Sequence, residues 1–150
     1  MKQKRYFISL IILLTFLLQN CKKNCSEIVT NETSTSILGN WELRQEQTKT
    51  IPQFTYQAGN GNIIKFTSSN YSTFANGNVI KNGQYKLNSD PTAALNVCLV
   101  LPENEFKNRI IFDSVYNSPK TFIEISKDSL KFISGCFAVD SGYYYLYIRQ

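Results

Sequence analysis

From Ile37 to the C-terminus the chain never sustains a helical apolar period. It runs instead in short stretches rich in Ile, Val, Phe, Tyr and Thr, cut at close intervals by Gly, Asn, Asp and Pro. Such stretches bury one face only when paired as β-strands, so the body is expected to be a single all-β domain. The pattern predicts strands over 41–47, 62–67, 71–75, 79–87, 97–101, 109–112, 121–126, 129–133 and 143–149. Asn60-Gly61 and Asn76-Gly77 are the dipeptides of two-residue hairpin turns, whose central residues need positive φ. Lys127-Asp128 reads as another tight turn. Asn82-Gly83 reads as a bulge within a long strand rather than a turn. One short helix is expected over 91–95, capped by Asp90.

Eight or nine short antiparallel strands close either as a sandwich or as an up-and-down barrel, and the order of the runs along the chain favours the barrel. Trp41 with Leu43, Ile64 with Phe66, and Tyr85 with Leu87 share parity along their strands, as inward residues of a barrel do. A sandwich shows the same alternation, so parity alone does not choose. The expectation is an antiparallel up-and-down β-barrel of about eight strands over residues 37–150.

The N-terminus has a different texture. Lys2, Lys4 and Arg5 precede an apolar run over 6–18, which ends in Gln19-Asn20-Cys21. This is the layout of an export signal. As a helix the run reaches about 20 Å, short of the roughly 30 Å of hydrocarbon that a spanning helix crosses. No small-x-small cleavage site follows. Leu18-Gln19-Asn20-Cys21 instead resembles the loose lipobox of Bacteroidetes lipoproteins. That resemblance implies cleavage before Cys21, acylation of Cys21, and a division into a signal peptide (1–20), a lipidated tether (21–36) and the barrel domain. Lys22 after the cysteine resembles lipoproteins passed on to the outer membrane, so the expected location is the cell envelope. The expected partner is the membrane, held through the lipid.

Of 16 basic and 11 acidic residues, Lys2, Lys4 and Arg5 leave with the signal, and Lys22 and Lys23 adjoin the anchor. The body is therefore near neutrality, which argues against a nucleic-acid partner. With Cys21 lipidated, three cysteines remain in a compartment where disulfides persist. Cys98 and Cys136 both fall in the body and are expected to pair; buried thiols are the alternative. Cys25 is left in the tether, either free or available to another chain.

Leu38-Gly39-Asn40-Trp41 resembles the Gly-x-Trp opening of the first strand in lipocalins and related calycin barrels. Arg149, at the end of the last strand, stands where those barrels place a cation across that Trp. Ile64-Lys65-Phe66-Thr67, Tyr71, Gly83-Gln84-Tyr85 and Ser129-Leu130-Lys131-Phe132 resemble the order seen in lipocalin-like domains of Bacteroidetes lipoproteins. The resemblance implies a lipocalin-like barrel whose floor is plugged by Trp41, with Gly39 and Arg149 completing the motif, and whose task is to hold a small hydrophobic or amphipathic molecule.

Absent chemistry narrows the remaining classes. The chain has no His, which removes Ser-His-Asp and Cys-His catalysis and histidine-held zinc. It has no CxxC pair and no P-loop or dinucleotide-binding glycine pattern. No enzyme activity, cofactor or metal is expected. An acid or base in the cavity would reopen that question, and Glu124 is the candidate; Glu103 and Glu105 read as a solvated loop pair. In Tyr143-Tyr144-Tyr145-Leu146-Tyr147-Ile148, alternation puts Tyr143, Tyr145 and Tyr147 on one face. Facing inward with Tyr85 they offer a ligand pocket; facing outward they form a binding patch; the third reading is cross-strand packing alone. A filled interior would favour a second reading, a non-enzymatic interaction or inhibitor module of the envelope.

Overall fold

The computed structural model describes residues 35–48, 51–116, 119–139 and 141–150. Nine antiparallel strands are present: β1 (Gly39–Thr48), β2 (Phe54–Thr55), β3 (Ile63–Phe66), β4 (Asn70–Ala75), β5 (Asn78–Ser89), β6 (Asn108–Phe112), β7 (Thr121–Ile125), β8 (Ser129–Ser134) and β9 (Tyr143–Arg149). β1 pairs with β3, each strand from β3 to β8 pairs with its successor, and β9 returns to β1, so eight strands form a closed barrel. β2 is the extra strand, paired to β1 at Gln45 and Glu46 beyond the β1–β3 seam. Closure settles the choice between barrel and sandwich, because a sandwich would leave β1 and β9 as edges.

Alternation along the strands builds the interior. Trp41, Ile64, Phe66, Tyr71, Ile110, Ile123, Leu130 and Phe132 form one buried cluster with Ile37, and Tyr143, Tyr145 and Tyr147 pack against it. A second cluster lies on the outside of the wall. There α1 (Ala93–Val97) and Phe106 cover Phe122, Ile133 and Tyr144, whose neighbours in sequence face the interior. A five-residue helix has no stability of its own. Burial of Ala93 and Val97, at 2% and 0% exposure, holds it in place.

Several local expectations shift. The run over 97–101 is not a strand: Val97 ends α1, and Cys98 adopts a left-handed φ of 57° as the helix C-cap. The following Leu99 and Val100 are exposed, so the apolar content of this run gains no sheet to pair with. The helix lies two residues later than the expected 91–95, with Thr92 at its N-cap position. Asp90 instead accepts hydrogen bonds from the Thr92 backbone N–H and hydroxyl. The bulge in β5 falls at Ile80, where the register to β4 jumps from Thr73–Lys81 to Phe74–Val79, and not at Gly83, which pairs in register with Tyr71. Asn76-Gly77 does form the two-residue hairpin turn, both residues at positive φ. β2 had no sequence signal, being only two residues long.

Candidate functional site

The lower end of the barrel is sealed. Trp41 is fully buried, its indole Nε1–H donates to the Ile37 carbonyl at 2.7 Å, and the Arg149 guanidinium lies 4.0 Å from its ring centroid. A Cβ on Gly39 would approach Arg149 Nη1 to 3.2 Å, so a side chain here would crowd the arginine. Phe66 and Leu130 fill the space above, both under 3% exposed.

Toward the other end the interior opens into a cavity of about 200 Å³. Its wall is an arc of six rings in sequential contact: Tyr71, Phe112, Phe132, Tyr147, Tyr145 and Tyr143, with centroids 4.7 to 6.4 Å apart. Most of these contacts are edge-to-face, the geometry that ring quadrupoles favour. Ile64, Thr73, Thr121 and Lys81 complete the lining. The Tyr row therefore points inward. Burial pushes the Tyr147 hydroxyl far above its ordinary pKa, and burial followed by the charge of Glu46 raises Tyr145. Both are neutral donors at physiological pH, while Tyr143 shares a 2.8 Å hydrogen bond with Thr121.

A charged pair stands at the rim. Lys81 reaches Asp113 Oδ2 at 3.0 Å and lies 5.5 Å from the Tyr71 ring centroid, and the Tyr71 hydroxyl donates to the same oxygen at 2.8 Å. The Lys81 ammonium holds the Asp113 carboxyl below its ordinary range, against the opposing effect of burial, with Tyr71 and the Gln84 N–H adding to it. Gly83 makes this possible: a Cβ there would lie 1.9 Å from Asp113 Oδ1 and 2.9 Å from Tyr71 Cε1.

A further charged group, outside the cavity's lining, is Glu46, which no sequence signal marks. Leu43 pairs with Tyr147 and Gln45 with Leu146, so Arg44 is an extra residue in β1 and parity reverses beyond it. Glu46 then stands opposite Tyr145 on the inner face, where the Tyr56 hydroxyl donates to its Oε2 at 2.6 Å. Without the bulge, alternation would turn Glu46 outward, and no residue type near Leu43 announces the bulge.

Tyr85 also turns inward, but it packs edge-to-face on Phe66 and donates to the Thr67 carbonyl, away from the cavity lined by the other tyrosines. Glu124 faces the outside of the wall, a correction to its candidacy as an interior acid: Oε2 accepts the Phe106 N–H at 2.9 Å. That bond steadies Phe106, a bulky residue at φ 53°, within the outer cluster. Glu105 lies 3.8 Å from Lys131. Cys98 and Cys136 are joined by a disulfide. The connections of an up-and-down barrel alternate between its ends, so this bond ties the β5–β6 connection, folded along the outer wall, to the β8–β9 connection at the opposite end. Cys21 and Cys25 lie outside the described residues.

A larger, more polar cleft of about 480 Å³ lies outside the barrel by this disulfide, lined in part by Asn96, Tyr116 and Lys120. Among the described residues no group of three or more Cys, Asp or Glu converges as a metal ion would need. No protein-family model matches the chain, and no curated protein or solved structure is significantly similar to it.

Proposed function

We propose that this chain is a membrane-anchored, lipocalin-like lipoprotein of the cell envelope that binds a small hydrophobic or amphipathic molecule inside its barrel and catalyses no reaction. The observation that carries the reading is the cavity above the Trp41 floor, walled by six aromatic rings with neutral tyrosine hydroxyls among them. An apolar concavity with a few placed polar groups is the usual form of a small-molecule site. Further support comes from the Arg149–Trp41 contact across the β1–β9 closure, the arrangement that the Gly-x-Trp resemblance implies. The anchor rests on the signal-like 1–20 and on Cys21. Native mass spectrometry of the chain purified from its own envelope tests the reading. A small molecule released on denaturation is the expected result; a chain that carries none and takes up none from an envelope extract would overturn it.

The interaction-module reading has one observation in its favour. Leu95, Val100 and Val139 are 83%, 101% and 70% exposed in the connections that the disulfide joins. An envelope protein retained by the wild-type chain and lost on Leu95→Ser and Val100→Ser would support it.

A further inference from the structure

We propose that the barrel cavity selects a small ammonium cation, with the Glu46 carboxylate as its counter-charge and the aromatic arc as its wall. This rests on the reading of the cavity as a ligand site and names the chemical class of what enters it.

Charge accounting at the inner face comes first. Lys81 is matched by Asp113 at 3.0 Å, so that pair contributes little net charge. Glu46 accepts only the neutral Tyr56 hydroxyl and has no cationic partner among the described residues. Above the floor the inner face thus carries one unmatched negative charge, placed there by the Arg44 bulge beside Tyr145; the Arg149 guanidinium, the other unpaired charge on this face, is engaged below by the Trp41 ring and three carbonyls. Glu46 stands opposite Tyr145, whose ring lines the cavity, and after burial its charge opposes ionisation of that tyrosine.

The wall suits the same class. Aromatic faces attract cations, most strongly where water is excluded, and several rings around one site form the cage that recognises methylated ammonium groups. The chain already uses this attraction twice, at Lys81 over Tyr71 and at Arg149 over Trp41. Size sets the upper bound. A cavity of about 200 Å³ has room for roughly seven waters, hence for a ligand with about as many heavy atoms. An anionic ligand would be repelled by Glu46 behind Tyr145 and would have to take Lys81 from Asp113.

The test uses the full chain in maltoside micelles, which carry no ammonium group, titrated calorimetrically with choline and with 3,3-dimethylbutan-1-ol. The two probes have the same shape and differ in replacement of the quaternary nitrogen by carbon. Choline is expected to bind on the order of tenfold more tightly or better, and Glu46→Gln, which keeps an acceptor for Tyr56, is expected to erase the preference. Equal or tighter binding of the alcohol would overturn the cation assignment and leave the ligand-site reading standing. Binding of neither would overturn the ammonium assignment, while the ligand-site reading is decided by the native mass spectrometry above. A preference for choline that survives in a folded Glu46→Gln chain would show that the carboxylate does not select the ligand. The wild-type comparison decides the class even if the variant fails to fold.

Discussion

Arg149 covers the indole of Trp41 at 4.0 Å while its nitrogens donate to three carbonyls: Nε to Lys127 at 2.8 Å, Nη1 to Leu38 at 2.8 Å and Nη2 to Ser36 at 2.7 Å. One side chain therefore joins the start of β1, the β7–β8 turn and the end of β9 at the floor. The planar, five-donor guanidinium suits this position and an ammonium does not. Arg149→Lys is expected to cost about 2 kcal/mol and Arg149→Ala somewhat more, counting the stacking and the charged hydrogen bonds. Urea denaturation checks both, and a lysine variant as stable as wild type would refute the role.

Trp41 is the only tryptophan and has no exposed surface, so it reports on the floor directly. Native fluorescence is expected to be blue-shifted and resistant to iodide quenching. Trp41→Ala is expected to cost about 3 to 5 kcal/mol through the cavity it leaves.

The Cys98–Cys136 bond spans 38 residues and fastens α1, which contributes few buried side chains, to the barrel wall. Its removal in a Cys98→Ser, Cys136→Ser chain is expected to cost about 3 to 4 kcal/mol on the chain-entropy account. Hydrogen exchange is expected to quicken first over residues 90–107 and only slightly in β7 and β8. Uniform acceleration would show that the bond supports the barrel as a whole.

Asp90 is a carboxylate held firmly within the fold. Burial opposes its ionisation, but hydrogen bonds from Thr92 and from Lys120, whose Nζ is 2.9 Å away, outweigh this and hold its pKa down at about 2 against an ordinary 3.8. A folded-state pKa below the unfolded one means that the stabilisation is present above about 4 and is lost as pH falls through about 2. Asp90→Asn is expected to lower stability by about 1 to 2 kcal/mol at neutral pH. It should also flatten the acid limb of a stability–pH profile between those values. An unchanged acid limb would refute it.

Gly83→Ala is expected to break the rim network, since its Cβ would overlap Asp113 and Tyr71. A cost of about 1 to 3 kcal/mol is expected. Gly77→Asn, in open space at the Asn76-Gly77 turn, is expected to cost less.

The sequence by itself determined the class of the fold and most of its strands. Alternation and turn dipeptides are local signals, so β3, β4 and β7 to β9 lie within a residue or so of expectation, and the Asn76-Gly77 hairpin forms where its φ requirement says it should. The same local rule placed Tyr143, Tyr145 and Tyr147 on one face but left open which face it was. Closure of β9 onto β1 decided that, by putting Tyr147 opposite Leu43 on the side that holds Trp41. The tertiary structure also decided everything that depended on distant neighbours. Residues 97–101 have strand-like composition, yet Val97 ends α1 and 98–101 continue without pairing, because Phe122 and Ile133 offer an outer apolar patch that a short helix covers. Glu46 turned inward because fitting β1 against β9 needed one extra residue at Arg44, and Glu124 turned outward to hold the backbone of Phe106. Bulges and side-chain-to-backbone bonds of this kind arise from how two strands or a strand and a loop meet, and neither partner alone encodes them.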